Sequence, residues 1–436
     1  MKKYIKKYIR FIVTLVLTVR FPFFFYRFLL RIRTFIPKRI RYYSELKYSS
    51  SISFELIITQ LDGGGVQSVI NHLIQSNIKQ KYVVIFFKNS TECIVQEYYH
   101  NKVLEVSKSA RSSLVLIKLI NEKLCQKITI HHLRKSNIKE MINILYNRKD
   151  ISIPIETHLH DFFFICPTIF LMDDKSKFCN LDKMHECNRC SVIQAAVSPF
   201  SNIGIEIYDF QNIKSWRECS QKLFDITSKI VVYSKTTMNM YKRVFAISDS
   251  KIEVSNALFS LSTNFKKLPK DYDLQKFDKI NIAMIGSWHY IKGLNVFKEM
   301  QNIINKNQHI YSNISLYFIG KGFCEIRSKI KNLGSYNSDT LASIIEKNKI
   351  SMCFIPSVCC ETFSITTQDC IEVGVPVATF ALGAMKERIF GIKNALVIEE
   401  ITNSNISKFS DQEIANIAIT NILTFIENKS NKPLDF

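Results

Sequence analysis

Short apolar runs alternate with amphipathic stretches along most of the chain. The first run, residues 54–60, has the length of a strand and is followed by Leu61, Asp62 and three glycines. Residues 66–74 then repeat their apolar positions at helical spacing, which predicts a strand, a glycine loop and a helix. Further apolar runs occupy residues 82–87, 127–132, 152–159 and 229–234, with amphipathic stretches at 112–124 and 137–145. This alternation predicts a parallel sheet covered by helices.

A second alternation of the same kind begins after a polar segment, residues 263–278. Its predicted strands are residues 280–285, 314–319, 351–355 and 375–380, and its predicted helices are residues 294–304, 340–347 and 365–373. The pattern therefore predicts two Rossmann-like domains, residues 49–262 and 279–410, joined by a linker at 263–278. Residues 411–436 form a final helix and tail, with an apolar face that can dock on either domain.

The beginning of the chain differs from the rest in charge. The 436-residue chain is 47% hydrophobic, which excludes a disordered or fibrous protein, and its net charge is +21. Residues 1–48 contain thirteen of the basic residues and a single acid, Glu45. Basic residues interrupt the apolar runs there before they reach the roughly 20 residues of a membrane span. We expect a basic amphipathic helical extension at an anionic membrane surface; packing on the protein's own surface is the alternative. The body lacks a concentrated basic segment, so no nucleic-acid partner is expected.

Two glycine-bearing turns at strand-to-helix junctions are candidates for binding an anion. The loop at residues 63–65 precedes a predicted helix, whose first amides can bind an anion, although a simple tight turn explains it equally well. Lys292 and Gly293 follow the first strand of the second alternation, where a lysine suits a diphosphate. A solvated surface lysine is the alternative reading.

The segment 355–377 contains the strongest candidate chemistry. Glu361 precedes a predicted helix and Asp369 lies two turns into it, so both acids can accept hydrogen bonds from sugar or ribose hydroxyls. The amides of Phe363 and Ser364, at the helix start, can hold a phosphate. Gly374 then ends the helix and leads into the next strand.

These residues resemble the nucleotide-binding signature of family-four retaining glycosyltransferases of the GT-B fold. In that family two acids eight positions apart flank a helix start and precede a Gly-x-Pro-Val turn, as Glu361, Asp369 and residues 374–377 do here. The Lys292–Gly293 pair, the turn at 320–322 and the loop at 63–65 follow the family's order. The match covers roughly residues 54–400. Within the family, the sequence is similar to members that build bacterial surface polysaccharides, including rhamnan-type transferases.

The resemblance implies a role for each matched residue. Glu361 would contact donor-sugar hydroxyls, Asp369 the ribose and Lys292 the diphosphate, with the Phe363 and Ser364 amides on the phosphates or sugar. Further donor-site positions implied by the family order are Gly64, Gly65, Ser287 and Gly322. Two positions depart from the family pattern: Asp369 stands where the family usually has Glu, and Ser287 where it usually has Arg, which removes a bidentate phosphate contact.

A histidine in the first alternation completes the implied catalytic set of Glu361, His160 and Lys292. His160 and Asp161 end a predicted strand, and the resemblance places such a histidine against the donor sugar, with the aspartate as its orienting neighbour. A structural histidine at a strand end is the alternative.

The resemblance therefore implies a fold and an activity. We expect an α/β GT-B protein whose two domains face a central cleft, acting as a retaining, metal-independent hexosyltransferase. Its donor would be a nucleotide diphosphate sugar and its acceptor a lipid-linked glycan in polysaccharide synthesis, for example of lipopolysaccharide. The expected location is the cytoplasm, peripheral on the inner face of the cell membrane. The alternatives are an epimerase-like enzyme acting on the nucleotide sugar, and a degenerate transferase kept as a membrane-bound assembly partner.

Four cysteines of the first domain form a separate candidate site. Cys187 and Cys190 have the two-residue spacing that lets both thiolates reach one zinc ion, and Cys166 and Cys179 lie upstream. The spacing therefore makes these cysteines a candidate site for a structural zinc, while we expect catalysis to require no cofactor. A disulfide and buried free thiols are the alternatives.

Overall fold

A computed structural model describes most of the chain after residue 51. The described residues are 52–61, 65–109, 111–173, 175–187, 190, 212–256, 265–269, 272, 279–322 and 329–430. The basic segment 1–48, Gly64 and most of the linker 263–278 lie outside the described residues.

The first domain is built on one mixed sheet. Its described strands are β1 (Phe54–Gln60), β2 (Lys81–Phe87), β3 (Cys93–Tyr99), β4 (Lys102–Ser109), β5 (Cys125–Ile130), β6 (Ile155–His158), β7 (Lys229–Val232) and β8 (Ile252–Val254). They are arranged in the order β4-β3-β2-β1-β5-β6-β7-β8. In this order, the adjacent strands β2, β1, β5, β6, β7 and β8 are all paired in parallel. At one edge, β3 and β4 form an antiparallel hairpin, and β3 is also antiparallel to β2. The predicted parallel sheet is thus correct except at that edge.

Helices cover both faces of this sheet. They are α1 (Gly65–Ser76), α2 (Ser112–Ile120), α3 (Ile138–Tyr146), α4 (Ile213–Ile226) and α5 (Lys235–Lys242). Strand β1 is apolar from Leu56 to Ile58 and is buried at every position except Glu55, because a central parallel strand is covered on both faces. Helix α4 begins with a capping box, in which Asn212 and Ser215 satisfy each other's backbone amides.

The second domain has a wholly parallel sheet among its described strands. These are β9 (Ile280–Ser287), β10 (Ile314–Lys321), β11 (Lys331–Asn332), β12 (Met352–Ile355), β13 (Val377–Ala381) and β14 (Ala395–Thr402), in the order β11-β10-β9-β12-β13-β14. The helices are α6 (Leu294–Lys306), α7 (Gln308–Tyr311), α8 (Leu341–Lys347), α9 (Ile365–Val373), α10 (Gly383–Ile389) and α11 (Asp411–Ser430). The four strands and three helices predicted here are all present.

The final helix and the described part of the linker both pack on the second domain. Helix α11 lies against α6 and β14 and buries Ile414, Ile419 and Ile422. In the linker, the Leu268 amide donates to the Val373 carbonyl and the Tyr272 hydroxyl donates to the Ile350 carbonyl. None of the described helices combines the length and the apolar character that crossing a membrane requires.

Two Rossmann-like α/β domains therefore face each other, as the resemblance implied. Residues that follow strands of both sheets line the same cavity, so the carboxyl ends of the two sheets point toward one another. Ligands of doubly wound α/β proteins bind at this edge of the sheet.

Candidate active site

The candidate site is a cavity of about 420 Å³ between the two domains. The second domain contributes Ser287, the last residue of β9, and residues after β9 and β12, among them Lys292 and Glu361. The first domain contributes residues after β5, β6 and β7, among them Arg134, His160 and Tyr233. Two basic side chains thus line a cavity enclosed by both sheets, which suits an anionic ligand.

Two helix N-termini meet at this cavity. Gly65 begins α1 and Ile365 begins α9, and a Cβ atom added at Gly65 would lie 3.0 Å from Ile365 Cδ1. The first amides of a helix have no partner within it and carry a partial positive charge. Both helices therefore favour negative charge in the space between them.

Lys292 and Glu361 form an ion pair on the second-domain side. The Lys292 Nζ atom donates to Glu361 Oε1 at 2.9 Å, and their side chains are 32% and 12% exposed. Burial alone would raise the pKa of Glu361, but Lys292 and the Ser357 hydroxyl hold it below its ordinary value. Burial would likewise lower the pKa of Lys292, yet the Glu361 carboxylate raises it. Both groups are therefore charged at neutral pH.

The backbone before α9 has an unusual conformation. Ser364 is buried and has a φ of 62°, in the left-handed region that residues other than glycine rarely occupy. Its Oγ lies 2.7 Å from Thr367 Oγ1. Strain of this kind persists only where surrounding contacts enforce it, and it is concentrated at functional sites.

Apolar contacts hold the two domains together beside the cavity. Phe363 packs in one buried cluster with Val69 and Tyr233, and Ile365 lies against this cluster. The Arg388 guanidinium sits 3.5 Å from the centre of the Phe363 ring, donates to the Phe363 carbonyl and also donates to the Tyr233 carbonyl. The side chain of Phe363 therefore joins the domains, and Arg388 occupies its backbone carbonyl.

Polar contacts also join the two domains. The Thr362 hydroxyl donates to the His160 carbonyl, which fixes the backbone of the candidate histidine against the second domain. Glu387 accepts hydrogen bonds from the backbone amides of Lys235 and Thr236 at the start of α5. The closed arrangement of the cleft is therefore specified by side chains from both domains.

Four histidines lie near the ends of β5 and β6. The His160 Nε2 atom is 2.9 Å from His131 Nδ1, and the His158 ring is stacked on His131. Asp161 Oδ2 is instead 2.9 Å from His132 Nε2. The expectation that Asp161 orients His160 is thus wrong, because the aspartate side chain turns to His132 and His131 contacts the His160 ring. Burial, followed by the neighbouring histidines, lowers the pKa of both His131 and His160 well below the ordinary value.

The structure brings most of the predicted site residues together. The cavity is lined by Gly65, His160, Ser287, Lys292, Glu361, Phe363 and Ser364. Of the remaining predicted residues, Gly64 lies outside the described part of the chain, and Gly322 and Asp369 are not among the lining residues. Asp369 is 5% exposed and its Oδ2 accepts a hydrogen bond from the Tyr336 hydroxyl at 2.8 Å.

Sequence reasoning missed Arg134 and Tyr233. Both follow strands of the first sheet, β5 and β7, whose apolar runs the sequence pattern did show. The rule that ligands bind beyond the carboxyl ends of parallel strands would have selected them.

The four cysteines line a different cavity, of about 470 Å³. The Arg217 Nη2 atom donates to Cys187 Sγ at 3.4 Å, and burial raises the pKa of the Cys179 thiol to about 12. In the described part of the chain, three histidines are the one group whose metal-ligating atoms all lie within 4.8 Å of one another. A zinc ion between the four cysteines stays a prediction.

Comparisons with known proteins give similarities at low identity. No protein-family model and no curated protein matches the chain. Among solved structures, Anabaena Alr3699/HepE in complex with UDP has 12% identity and a TM-score of 0.49, covering 86% of this chain and 91% of its own. Sucrose-phosphate synthase from Thermosynechococcus elongatus has 12% identity and a TM-score of 0.48, with 87% and 95% covered. A UDP-forming trehalose-phosphate synthase from Burkholderia xenovorans has 11% identity and a TM-score of 0.49, with 87% and 94% covered.

Proposed function

We propose that this protein is a glycosyltransferase that moves a sugar from a nucleotide diphosphate sugar to an acceptor. One observation carries the proposal: the cavity between the two sheets combines the Lys292–Glu361 pair with the facing starts of α1 and α9. A cation and two helix N-termini suit a diphosphate, and a charged carboxylate beside them suits sugar hydroxyls. The donor would therefore lie mainly on the second domain.

The proposed chemistry depends on charge stabilisation at the leaving group. As the bond from the sugar to the diphosphate breaks, negative charge grows on the phosphate oxygens, and fixed positive groups lower the energy of that state. Lys292 would supply this charge together with the helix-start amides, and Arg134 lies across the cavity as a second cation. These groups are part of the chain, so the proposed transfer is metal-independent.

Retention of configuration at the transferred sugar carbon is part of the proposal. Glu361 is held by Lys292 and Ser357 and is thus suited to binding hydroxyls rather than attacking carbon. We infer attack on the face from which the diphosphate departs, with His160 near the sugar and Asp369 supporting the nucleotide pocket through Tyr336. The anomeric configuration of the product, read by nuclear magnetic resonance, tests this step, and an inverted product would exclude it.

The proposed acceptor is a lipid-linked glycan used in bacterial surface polysaccharide synthesis. Support comes from residues 1–48, where thirteen basic residues are interleaved with bulky apolar ones. Such a segment binds anionic headgroups while inserting its apolar side chains. It would keep the enzyme on the cytoplasmic face of the cell membrane, where the lipid-linked acceptor is presented.

Vesicle sedimentation tests the membrane part of the proposal. The full chain should sediment with phosphatidylglycerol vesicles, should bind phosphatidylcholine vesicles much more weakly, and should be released as the salt concentration rises. Deleting residues 1–43 should leave the protein in the supernatant. Equal sedimentation with and without these residues would show that the segment is not the membrane anchor.

Transfer of radiolabelled sugar onto a lipid extract tests the activity itself. Wild type should label the lipid fraction, and Glu361→Ala should reduce the rate about 100-fold or more, the cost of losing a transition-state contact. Glu218→Ala is the matched control, because its side chain is 61% exposed on α4. Equal labelling by wild type and Glu361→Ala would exclude the proposed site. An altered free nucleotide sugar would favour an epimerase, and no reaction in any variant would favour the degenerate assembly partner.

A further inference from the structure

We propose that His131, His158 and His160 form a binding site for one divalent transition-metal ion at the first-domain edge of the cavity. One ring nitrogen from each histidine lies within 4.8 Å of those of the other two. The site does not depend on the proposed glycosyl transfer, because the argument uses only these side chains and their surroundings.

The three histidines are brought together by neighbouring parallel strands. His158 is the last residue of β6, His160 follows it by two positions, and His131 follows the last residue of β5. β5 and β6 are paired in register, with Ile130 opposite Thr157. Because parallel strands end at the same edge of the sheet, side chains just beyond them share one region of space. The fold rather than a flexible loop therefore sets the separation of the rings.

The distances suit an ion after small rotations of the rings. Two imidazole nitrogens bound to zinc at about 2.1 Å with tetrahedral angles are about 3.4 Å apart. His131 Nδ1 and His160 Nε2 are 2.9 Å apart, and the largest separation in the group is within 4.8 Å. Each nitrogen thus needs to move by about 1 Å or less to share one ion.

A carboxylate orients one of the three rings in the manner of known metal sites. The His158 Nε2 atom is 2.6 Å from Glu156 Oε1, and Glu156 is itself paired with Lys127 at 3.1 Å. Metal-binding histidines almost always give their second ring nitrogen to a carboxylate or carbonyl, which fixes the tautomer and the direction of the free lone pair. The Nδ1 atom of His158, now 2.7 Å from the Tyr233 hydroxyl, is left to act as ligand.

His131 supplies an independent indication of a missing partner. Its side chain is 1% exposed, yet its Nε2 atom has no hydrogen-bond partner among the described residues. Buried polar atoms without partners are rare in folded proteins and call for an explanation such as an unseen ion. The Nδ1 atom of the same ring faces His160, so binding an ion through Nε2 would require the ring to turn about its Cβ–Cγ bond.

The donor set selects the class of ion. Three neutral imidazoles suit Zn²⁺, Co²⁺, Ni²⁺ and Cu²⁺, whereas Mg²⁺ and Ca²⁺ prefer oxygen ligands. Of the three histidines, His160 also lines the cavity between the domains. The remaining coordination position would therefore open toward that cavity, as in metal sites that bind an exchangeable ligand.

Titration of the tag-free full chain with Co²⁺, after removal of metal by a chelator, tests the site. Calorimetry should show one ion bound per chain. Absorption spectroscopy should show the weak visible bands of Co²⁺ bound by nitrogen and oxygen ligands. His131→Asn and His158→Asn should each weaken binding at least about 10-fold, and Glu156→Gln about 10- to 100-fold through loss of the orienting carboxylate. His309→Asn should bind as wild type does, since His309 is exposed on α7 in the second domain.

Several results would overturn the proposal. Wild type that binds no Co²⁺ would do so, and so would binding whose affinity is unchanged in the histidine variants and in Glu156→Gln. An intense thiolate charge-transfer band that disappears in Cys187→Ala would place the only ion at the cysteines instead. Circular dichroism shows which variants fold, and only folded variants are compared. If the variants do not fold, the proposal is still tested, because wild type that binds no Co²⁺ overturns it.

Discussion

At the scale of single residues, Lys292 and Glu361 are the pair on which the site depends. The Lys292 Nζ atom and the Glu361 Oε1 atom are 2.9 Å apart, and both side chains are partly buried. Removing one of the two charges would leave the other partly buried without an opposite charge beside it. Glu361→Gln should therefore lower the free energy of unfolding by about 1–3 kcal/mol. Denaturant titration measures the loss. Glu218→Gln, at an exposed pair, should change stability by less than about 0.5 kcal/mol, and equal losses in both variants would contradict this account.

The contribution of this pair to stability should depend on pH in one direction. The folded-state pKa of Glu361 lies below its ordinary value of 4.5, so its stabilisation is complete above that value and is lost as pH falls through the folded pKa. The folded-state pKa of Lys292 is raised above 10.5, so its contribution is complete below that value and lost above it. The stability difference between wild type and Glu361→Gln should thus be constant from about pH 5 to 9 and shrink below about pH 4.5. A difference that grows on acidification would contradict the charged pair.

Of the site residues predicted from sequence, Lys292 and Glu361 line the cavity, whereas Asp369 is not among its lining residues. Lys292 and Glu361 lie in the segments that follow β9 and β12, five and six residues after the strands end, and these segments start at the edge of the sheet that faces the cavity. Asp369 lies four residues beyond Ile365, which is about 6 Å further along the helix axis. Helix α9 runs away from the cavity, so Asp369 is carried into the domain and pairs with Tyr336. The spacing of residues along a helix predicts the side of the helix on which each residue lies, but it does not predict how far each residue lies from the cavity.

At the scale of elements, one glycine fixes how the turn that holds Lys292 meets the strand end at Pro356. Gly293 has a φ of 84°, and a Cβ atom there would lie 2.0 Å from the Pro356 carbonyl oxygen. Gly293→Ala should therefore cost about 3 kcal/mol or more, from both backbone strain and steric overlap. Thermal or denaturant unfolding measures the change.

Gly391 is the matched control for this substitution. Its φ is 78°, but a Cβ atom there would meet nothing within 4 Å. Gly391→Ala should cost only about 1–2 kcal/mol of conformational strain. If the two variants were equally stable, the close approach of the turn to Pro356 would not contribute to the fold.

Elements were predictable from sequence where burial makes them apolar. Strands β1, β2 and β9 are central in their sheets, and their continuous apolar runs are visible in the sequence. Strand β4 is exposed along most of its length, so no face of it needs apolar residues and the hairpin with β3 left no clear pattern. The antiparallel edge of the first sheet was missed for this reason.

At the scale of the whole molecule, Glu387 of the second domain caps a helix of the first. Its carboxylate accepts from the amides of Lys235 and Thr236, the first residues of α5. Glu387→Ala should cost about 1 kcal/mol, as for other lost helix caps, and should speed hydrogen exchange at these two amides. Glu399→Ala is the control, since Glu399 is 59% exposed and pairs with Lys386 on the same domain. Unchanged exchange at Lys235 and Thr236 would show that the domains do not stay closed in solution.

The way in which the domains meet was beyond the reach of sequence patterns. Arg134 and Tyr233 follow strands far from Glu361 in sequence. The contacts of Phe363 with Val69 and Tyr233 join segments more than 100 positions apart. Periodicity reports which face of an element is buried, but it does not report which partner covers that face. The shared cavity follows only from the packing of the two domains.

The central claim is that the cavity between the domains binds a nucleotide diphosphate, and calorimetric titration tests it most directly. The full chain would be titrated with uridine, guanosine and thymidine diphosphates, alongside Lys292→Ala and, as control, Lys214→Ala at an 83% exposed position. At least one nucleotide should bind wild type and the control equally, and Lys292→Ala should weaken that binding about 10-fold or more through loss of a charge-assisted hydrogen bond. Absence of binding by all three nucleotides, or equal affinity in Lys292→Ala, would contradict the claim.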